Sequence, residues 1–426
     1  MKVVVINAYV RENAGDAALL SVCLRQIRDA FPDAQVQIAG MEDAATHPSF
    51  ETAENIGSIR RYVSASAISR LQRISRRLVA LAFATAHLLL PQFLSRALRP
   101  VLPAEVRRET DAVSAADLVV SMGGGYLNAR PGLDGYQNVF FVLLPALMAL
   151  RRDVPVVFAP QSYGPFPAAP QRRLVAHVLR RAALVLVRED VSADILEECG
   201  VPAAQIRRGV DSGFAFAPAK TPEWRARLGV DATTRLVGVT ARRWLAPAAQ
   251  ERYERAVAAT IDSIQANGAR VVLIPQVSTD YLGDDDRVVG GRIAGYCTTP
   301  PLWIDERVDY RDLKSLYGEC ALLIGTRFHS VIFSLTSGVP CVAIEYEHKT
   351  RGIMRDLGLE EWVLPIADVT YQRLWSLVEQ LEADREDYAA ALRQRLPEYI
   401  TQAEQLSELL GELLPKQVPD RAGVAS

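Results

Sequence analysis

The sequence lacks most of the short motifs that identify common enzyme classes. It contains no G-x-G-x-x-G, Walker A, G-x-S-x-G or H-E-x-x-H pattern, which argues against a dinucleotide fingerprint, a P-loop NTPase, an α/β-hydrolase and a zinc protease. Cysteine is scarce: the five cysteines are scattered and form no C-x-x-C pair. This pattern predicts reduced, buried thiols in a cytosolic chain, with neither a disulfide framework nor a metal site.

Neither sign of charge dominates the sequence. Its 426 residues carry 48 Lys and Arg against 50 Asp and Glu, a formal net charge of −2. A nucleic-acid-binding protein would show a strongly basic domain or face, so we expect no nucleic-acid partner. A chain of this length exceeds what one hydrophobic core supports, which predicts two domains. The sequence starts directly with an apolar strand pattern, so we expect no signal peptide.

The sequence also lacks a long hydrophobic run. The longest apolar run that it contains is flanked by an unusual number of arginines. The run Leu78–Leu90 is interrupted by two polar residues and is shorter than the roughly 20 residues that span a bilayer. From residue 60 to residue 104 there are eight arginines and no acidic residue. They are Arg60, Arg61, Arg70, Arg73, Arg76, Arg77, Arg96 and Arg99. A helix here would place Leu71, Ile74, Leu78 and Leu81 on one face. Two interpretations stay open: a basic amphipathic helix on an anionic membrane, or a solvated helix packed on its domain.

Apolar, β-branched strands alternate with helical patterns along most of the chain. This alternation predicts an α/β protein with parallel sheets covered on both faces. We assign residues 1–217 to an N-terminal Rossmann-like domain with a basic insertion near 60–104. Residues 218–415 form a C-terminal Rossmann-like domain that ends in helices, and Phe216–Pro222 is interpreted as the linker. Ligands of such sheets bind beyond the carboxyl ends of the strands, so we expect a cleft between the domains.

Three weak motifs follow strands of the first domain. Asn13–Asp16 contains Gly15, which permits close backbone approach, and Asp16, which would act as a ligand contact or a helix cap. The glycine run includes Gly124 and Gly125 and would expose backbone amides or form a tight turn. Gln161–Phe166 would offer hydroxyl and amide groups to a sugar, or form an ordinary loop. Acceptor contacts predicted in these segments are Asn13, Gly15, Asp16, Gly124, Gly125, Tyr126, Asn128 and Ser162.

The second domain carries the sharper constellation. Arg242 and Arg243 follow one strand, and guanidinium groups suit phosphate or carboxylate, although a surface pair is the alternative. Arg327 and His329 stand where a buried strand turns into a helix, and Lys349 follows the next strand. Such a group predicts a site for an anion that undergoes proton transfer. The run Asp284–Asp286 is interpreted as a solvated loop, with a divalent-ion site as the minor alternative.

These motifs, taken in order, resemble the polysaccharide pyruvyl transferase family. The matching pieces are Asn13–Asp16, Gly123–Gly125, Gln161–Phe166, Asp211–Phe214, Thr326–Ser330, Gly338–Pro340 and Tyr346–Lys349. The resemblance implies two Rossmann-like domains facing a cleft, similar to the GT-B glycosyltransferases. It also implies that phosphoenolpyruvate donates a pyruvyl group, which becomes a ketal on a sugar.

The resemblance also implies roles for individual residues. Arg327 and His329 match the family's Arg-x-His, which engages the donor, and we assign acid/base catalysis to His329. Arg242 is matched to a further donor-binding arginine, with Arg243 as the alternative, and Lys349 to a lysine of the family pattern. No metal or other cofactor is implied, because arginines can neutralise the leaving phosphate.

Two other functions stay open at this point. The first is a nucleotide-sugar-dependent glycosyltransferase of the same architecture, which fold alone cannot separate from pyruvyl transfer. The second is a non-catalytic binding protein of polysaccharide assembly. We expect a cytoplasmic protein in bacterial-type exopolysaccharide biosynthesis. Peripheral contact with the cytoplasmic face of the membrane would fit a lipid-linked acceptor. No motif identifies the acceptor sugar.

Overall fold

The computed structural model describes residues 1–9, 11–64, 69–89, 102–218, 223–279 and 283–413. The chain divides into two compact units. The first comprises Met1–Ala8, Leu20–Gly209 and the segment from Thr401 onward, and the second comprises Tyr9–Leu19 and Val210–Ile400. The sequence analysis places a single boundary after residue 217. The structure divides the chain after residue 209 and assigns residues 9–19 to the second unit.

Alternating strands and helices build the first unit, as the apolar pattern predicts. Its strands are Lys2–Ala8 (β1), Gln35–Gly40 (β2), Ser49–Phe50 (β3), Ala53–Asn55 (β4), Leu118–Ser121 (β5), Gly124–Leu127 (β6), Val156–Tyr163 (β7), Leu184–Val187 (β8) and Ile206–Arg208 (β9). The helices up to this point of the chain are Ala14–Ala30 (α1), Ile59–Ser64 (α2), Arg70–Leu89 (α3), Ala104–Ser114 (α4), Leu133–Leu150 (α5), Ala169–Leu179 (α6) and Asp190–Glu198 (α7). Helix α1 starts in the segment assigned to the second unit.

The first sheet has the order β3-β4-β2-β1-β5-β7-β8-β9, with β6 beside β7. Its described pairings are parallel except for the short β3–β4 pair. Strand β1 pairs with β2 on one side and with β5, which comes much later in the chain, on the other side. The order of the strands therefore reverses between β1 and β5, which is the point where open α/β sheets bind ligands.

A second α/β series forms the other unit. Its strands are Leu236–Thr240 (β10), Arg270–Leu273 (β11), Leu302–Trp303 (β12), Leu322–Gly325 (β13), Cys341–Glu345 (β14) and Val363–Pro365 (β15). Its helices are Trp224–Arg227 (α8), Pro247–Ala266 (α9), Asp286–Tyr296 (α10), Tyr310–Glu319 (α11), Phe328–Thr336 (α12), His348–Asp356 (α13), Tyr371–Ala383 (α14) and Arg385–Glu404 (α15). Helix Leu406–Leu413 (α16) follows and belongs to the first unit.

The second sheet is parallel throughout its described pairings, in the order β12-β11-β10-β13-β14-β15. Here the reversal lies between β10 and β13, which pair from Val237 with Leu322 to Thr240 with Gly325. These two strands end side by side. The loops that follow them therefore start at the expected ligand position of this unit.

Two sequence interpretations need correction. Phe216 is not part of an exposed linker: it is 6% exposed and packs on the rings of Tyr310 and Phe333, because a large apolar ring gains from burial. Residues 219–222 of the predicted linker lie outside the described residues. The cysteines are free, as expected, but Cys199 and Cys297 are only half-buried.

Helix α5 forms the apolar centre of the first unit. Most of its residues are buried, among them Val139 and the run from Phe141 to Leu150, and a helix that is apolar on nearly all sides fits such a position. Among the described residues it is also the one helix with the length and composition to cross a membrane. Because 67% of it is buried in the folded protein, core packing accounts for its composition.

Candidate functional site

The predicted cationic residues of the second unit follow three neighbouring strands. Arg242 comes after β10, Arg327 and His329 come after β13, and Lys349 comes after β14. Because these strands are parallel neighbours, their carboxyl ends lie along one edge of the sheet. The structure thus places this group where the sequence analysis expects an anion site.

Arg327 is buried and bound by two carboxylates. Its Nε lies 3.0 Å from both carboxylate oxygens of Asp286, and Nη2 donates to Oδ1 of Asp286 at 2.5 Å. Nη1 and Nη2 donate to the Asp284 carboxylate at 3.1 and 2.9 Å. Burial alone would lower the pKa of Arg327, but the two carboxylates outweigh burial and raise it. The guanidinium is therefore held permanently as a cation within an acidic clamp.

The run Asp284–Asp286 is consequently not a solvated loop. Asp286 is 4% exposed, and its Oδ2 also accepts the backbone N–H groups of Gln276 and Val277 at 3.1 and 3.0 Å. Asp285 caps helix α10 by accepting the N–H of Arg287. The predicted solvation is wrong because arginine side chains and backbone N–H groups donate the hydrogen bonds that water would otherwise donate to these carboxylates. Among the described residues, no group of three acidic, His or Cys side chains is placed to hold a metal.

Arg242 occupies a different environment from Arg327. It is 9% exposed, and its guanidinium lies over the ring of Tyr346 at 4.1 Å and over that of Trp244 at 4.8 Å. One weak contact, 3.3 Å, joins Nη2 to Asp284, and Nε is buried without a hydrogen-bond partner among the described residues. Gln250 holds the loop by donating to the Arg242 carbonyl and accepting from the backbone of Trp244. The cation is thus positioned by aromatic rings and retains unused donor capacity.

Arg243 and Lys349 lie at the margin of this group. Arg243 is exposed, in contrast to its neighbour Arg242. Lys349 pairs with Glu347 at 2.6 Å, and its Nζ lies 5.3 Å from the ring centre of Phe328 and 5.6 Å from that of Tyr346. Of the two arginines after β10, the structure places Arg242 at the centre and Arg243 at the surface.

His329 is enclosed by small residues and one carboxylate. The side chain is 13% exposed, and its Nε2 lies 3.6 Å from Oδ1 of Asp211, which is too far for a hydrogen bond. Gly15 lies against the imidazole: a Cβ there would stand 2.1 Å from Nδ1 of His329. Gly213, which donates to Asp211, approaches the other side of the ring. The ring therefore has little freedom to move.

The segment Asn13–Asp16 begins helix α1 and is attached to the loop after β11. Asn13 accepts the N–H of Gly15 at 3.1 Å and donates to the Asp16 carboxylate at 2.6 Å. Asn13 also forms an isolated antiparallel bridge with Val277. The sequence analysis assigns Asn13, Gly15 and Asp16 to the first domain. The structure instead counts them with the second unit, where Gly15 contacts His329.

Several buried polar atoms of this unit have no hydrogen-bond partner among the described residues. They are Glu12 Oε2, Arg242 Nε, Gln265 Oε1, Gln276 Nε2, Thr279 Oγ1, His329 Nε2 and Thr350 Oγ1. Unsatisfied buried polar atoms are rare in folded proteins and need an explanation, such as a ligand or water that completes them. Four of these residues stand shortly after β10, β11 or β13, and this grouping supports a polar ligand site at this edge.

Lys314 fixes the helix that carries His329. Its ammonium donates to the carbonyl of Phe333 at 2.7 Å, to Thr336 at 2.5 Å and to Ser337 at 2.9 Å, at the carboxyl end of α12. A cation there is favourable because the last carbonyls of a helix carry partial negative charge. Burial lowers the pKa of Lys314 to about 7.

The glycine turn of the first unit is a tight backbone contact. A Cβ on Gly123 would stand 2.5 Å from the Pro160 carbonyl oxygen, and Gly124 has φ of +147°. Gly125 is exposed, and its carbonyl accepts from Asn128 at 2.8 Å. The Tyr126 hydroxyl bonds to Ser121 and to the carbonyl of Met122. Close packing therefore accounts for the glycines of this turn. The polar groups of Tyr126 and Asn128 form hydrogen bonds within the turn.

The hydroxyl of Ser162 is hydrogen-bonded to a buried ion pair, which was not predicted from the sequence. Its hydroxyl accepts from Nε of Arg188 at 2.8 Å, and Arg188 pairs with Glu189 at 3.3 Å, with side chains 2% and 7% exposed. Glu189 in turn accepts from Ser192. This cluster could have been predicted from the charged residues Arg188 and Glu189, which directly follow strand β8. The carboxyl ends of parallel strands are where polar ligand contacts are expected.

Sequence reasoning also missed the partners of the cationic group in the second unit. These residues are Asp211, Trp244, Gln276, Asp284, Asp286 and Lys314. Each becomes a partner only through tertiary contact, and the local patterns around them are those of ordinary loops and helices. The aromatic residues at 244 and 346 carried the best available signal, since each stands within four residues of a predicted cation.

Solved structures of similar fold cover almost the entire chain. A putative UDP-N-acetylglucosamine 2-epimerase from Listeria monocytogenes has a TM-score of 0.60 at 14% identity, with 99% of each chain covered. The UDP complex of MnaA from S. aureus scores 0.58 at 13% identity, covering 97% of this chain and 98% of the other. HepE from Anabaena, bound to UDP-glucose, scores 0.55 at 17% identity, covering 97% and 100%. At such low identity the likeness shows the fold alone: a GT-B-like α/β protein built from two Rossmann-like units.

Sequence comparison gives the family. The amylovoran biosynthesis protein AmsJ of Erwinia amylovora is 27% identical over 378 residues, which covers 85% of this chain and 87% of AmsJ. A sequence model of the family described as "Polysaccharide pyruvyl transferase" matches residues 13–348. That range includes the Asn13–Asp16 segment, both arginines after β10, His329 and the start of helix α13. The chain therefore belongs to the polysaccharide pyruvyl transferase family.

Proposed function

We propose that this protein transfers the pyruvyl group of phosphoenolpyruvate to two hydroxyls of a saccharide, as a ketal, during the biosynthesis of an extracellular polysaccharide. The observation that carries the proposal is Arg242, a buried cation with an unpartnered Nε at the carboxyl end of β10. Family membership and the similarity to AmsJ, whose name assigns it to amylovoran biosynthesis, support the polysaccharide context.

Arg242 is assigned to the donor's phosphate or carboxylate. Its guanidinium lies beside the rings of Tyr346 and Trp244, so binding an anion requires little further ordering. A charged hydrogen bond of this kind contributes about 1.5–3 kcal/mol. Lys349 and the amino end of helix α12 add positive potential from the neighbouring strands. Arg243, exposed at the surface, takes no part in this assignment.

Arg327 is assigned a positioning role, which revises the donor contact inferred from the resemblance. Its guanidinium is already bound by Asp284 and Asp286, so a donor phosphate would compete with two carboxylates. Arg327 directly precedes helix α12 and lies two residues before His329. Its clamp therefore fixes the strand-to-helix turn from which the imidazole projects.

His329 is assigned to proton transfer. A protonated imidazole donates its proton to the methylene carbon of phosphoenolpyruvate, and a saccharide hydroxyl attacks the adjacent carbon and returns its proton to the imidazole. A second hydroxyl then displaces phosphate and closes the ketal, with its proton leaving on the phosphate. The Asp211 carboxylate lies 3.6 Å from Nε2 of this imidazole. Such general acid catalysis contributes roughly 10²–10⁴ in rate.

The acceptor is assigned to polar groups of the first unit. Asn128 and Tyr126 stand at the glycine turn, and Ser162 stands near the end of β7. We place the reaction in the cytoplasm, where phosphoenolpyruvate and activated saccharides are both available. The scheme needs no metal or further cofactor, since cations of the chain can balance the charge of the leaving phosphate.

Calorimetric titration of the purified protein with phosphoenolpyruvate tests the donor assignment. We expect saturable binding that Arg242→Ala weakens at least tenfold, while Arg243→Ala, one residue away at the surface, leaves it unchanged. A parallel titration with UDP-glucose and UDP-N-acetylglucosamine addresses the glycosyltransferase alternative. Binding of a UDP-sugar without binding of phosphoenolpyruvate would overturn the proposal.

His329→Ala separates an enzyme from a non-catalytic binding protein. We expect this variant to bind phosphoenolpyruvate within a fewfold of the wild type, yet to lose at least 10²-fold in acceptor-dependent phosphate release. Equal phosphate release by the variant and the wild type would refute the catalytic role of the imidazole. A cell-based polymer assay in which His329→Ala works normally would favour the binding protein.

A further inference from the structure

The amino-terminal half of helix α3 exposes large apolar side chains. Leu71 is 80% exposed, Leu78 is 62% exposed and Ile74 is 47% exposed, and they follow one another at helical spacing. Leu133, at the start of helix α5, is 71% exposed. Single exposed apolar residues are normal, but a row of this kind indicates an interaction surface. The second interpretation of the sequence analysis, a helix packed on its domain, does not account for these residues.

The other half of α3 is anchored in the first unit. Ala80, Phe83, Ala84 and His87 are buried in the core. Leu81, which the sequence analysis places on the exposed apolar face, is half-buried. The helix therefore packs through its carboxyl-terminal half, and its amino-terminal half presents Leu71, Ile74 and Leu78 outward.

Helices α3 and α5 together form a groove beside this row. Its lining includes Ile74, Leu78, Leu81 and Leu133, with Arg73 and Arg77 among them. Arg77 donates to Asp134 at 3.0 Å and to Gln137 at 3.1 Å, which ties the first turn of α5 to α3. Leu133 is thus held next to the leucine row, and the apolar surface includes residues of two helices.

The charge on helix α3 has one sign, and Asp134 of helix α5 is the acidic residue in the lining of the groove. Helix α3 carries four arginines and no acidic residue. Two of them are partly engaged: Arg76 lies over the ring of Tyr62 at 4.9 Å, and Arg77 pairs with Asp134. Arg73 is half-buried in the lining of the groove. Arg96 and Arg99 of the basic segment lie outside the described residues, and so does the side chain of Arg70.

We propose that this surface, comprising Leu71, Ile74, Leu78, Leu133, Arg73 and Arg77, binds the anionic phospholipid surface of a membrane. A helix that lies on a bilayer combines an exposed apolar row with flanking basic residues. The charge complementarity selects an anionic lipid surface over a second copy of the chain, since two copies would bring like charges together. This inference is independent of the donor chemistry and would hold for either enzyme class.

Vesicle flotation with the full-length protein tests the surface. We expect the wild type to float with phosphatidylglycerol-containing vesicles at low salt, to float at least tenfold less with phosphatidylcholine alone, and to be released by high salt. The variant Leu71→Ser/Leu78→Ser should lose at least tenfold in the floated fraction. The variant Arg73→Gln/Arg77→Gln should lose binding to the anionic vesicles specifically.

A matched control uses exposed apolar residues elsewhere in the protein. Val191 is 42% exposed and Val288 is 58% exposed, and Val191→Ser/Val288→Ser should float like the wild type. Thermal melting confirms that each variant is folded, as expected for exposed positions. The proposal is overturned if the wild type stays at the bottom of the low-salt gradient, or if the leucine variant floats undiminished. Loss of a dimer in Leu71→Ser/Leu78→Ser, measured by light scattering without any flotation of the wild type, would assign the surface to a second copy instead.

Discussion

The two units share a topology but differ in the residues at their strand-order reversals. In the second unit the loops after β10 and β13 carry Arg242, Arg327 and His329, with carboxylates beside them. In the first unit, the side chains that hydrogen-bond to one another at the reversal between β1 and β5 are neutral. There Asn7 donates to Ser121 at 3.2 Å, and Ser121 bonds to the Tyr126 hydroxyl at 3.0 Å.

Under the proposed function, this difference would let one fold serve two kinds of ligand. Guanidinium and imidazole groups suit a small, multiply charged anion, whereas neutral hydroxyl and amide groups suit the hydroxyls of a saccharide. The contrast is also energetic. The second unit holds a buried charge network that must stay complete, while the neutral network of the first unit tolerates the loss of one member more easily.

The largest effect is expected from breaking the charge network of the second unit. Asp286→Ala leaves the buried Arg327 with one carboxylate instead of two, which should lower the free energy of unfolding by about 3–5 kcal/mol. The adjacent Asp285→Ala removes the cap of helix α10 and a partly exposed ion pair with Arg287, and it should cost about 1–2 kcal/mol. Urea unfolding of both variants measures the difference. Equal losses would show that Asp286 is not the essential partner.

A smaller but specific effect is expected at Gly15. The methyl group in Gly15→Ala would stand 2.1 Å from Nδ1 of His329 and must displace the ring. A displacement of about 1 Å can cost 10²-fold in rate, so we expect a loss of that size in phosphate release from phosphoenolpyruvate. The NMR signals of the His329 ring should shift as well.

Gly352→Ala is the matched control for this prediction, because a Cβ there meets no heavy atom within 4 Å. It should keep the wild-type rate and the wild-type ring signals. An unchanged His329 signal in Gly15→Ala would contradict the proposed contact.

A pH-dependent effect distinguishes the first unit. Burial, aided by the charges of Arg152 and Arg151, lowers the pKa of His87 to about 4. An unfolded histidine titrates near 6.5, so the unfolded chain binds more protons in this window. The stability of the wild type should therefore fall as the pH decreases from 6.5 to 4.

The variant His87→Phe isolates this contribution. It should lack that part of the decrease, because phenylalanine does not titrate and can pack against Phe83 as the imidazole does. Chemical unfolding at pH 7.5, 6 and 5 gives the comparison. Parallel curves for the two proteins would disprove the contribution of His87.

The smallest effect is expected from a substitution in the first unit, and it tests whether neutral groups there contribute to donor binding. Asn128→Ala removes a donor to the carbonyl of Gly125 in the first unit, and it should leave the affinity for phosphoenolpyruvate unchanged. If it weakens donor binding as much as Arg242→Ala does, the assignment of neutral and charged groups to different substrates fails. Calorimetric titrations of the two variants under one buffer provide this test.

Much of the fold was predictable from local patterns. The apolar runs Leu236–Thr240, Leu322–Ile324 and Cys341–Ile344 predict three strands, and β10, β13 and β14 lie within one residue of them. A short apolar run before a polar loop is a strong signal of a buried parallel strand. Parallel pairing then places Arg242, Arg327 and Lys349 at one edge without further information. The family resemblance, carried by segments such as Thr326–Ser330, was confirmed by comparison.

The partners of these residues were not predictable in the same way. Asp286 and Arg327 meet through the loop after β11, and a run of three aspartates has the local signature of a solvated turn. Gly15 and His329 are distant in sequence, and nothing around Gly15 indicates that an imidazole lies against it. Burial and pairing of polar groups depend on tertiary contacts, which composition and periodicity do not encode.

The aromatic pair around Arg242 also gives the protein a built-in optical probe. Trp244 is 45% exposed and lies 5.0 Å from the ring of Tyr346, with the guanidinium beside both. Its indole emission should respond when the charge on Arg242 is neutralised by an anion. Trp224 and Trp362 are buried and would contribute a constant background. A fluorescence titration would then report anion binding at this edge of the sheet in real time, before any acceptor is known. The change in emission should be absent in Trp244→Phe.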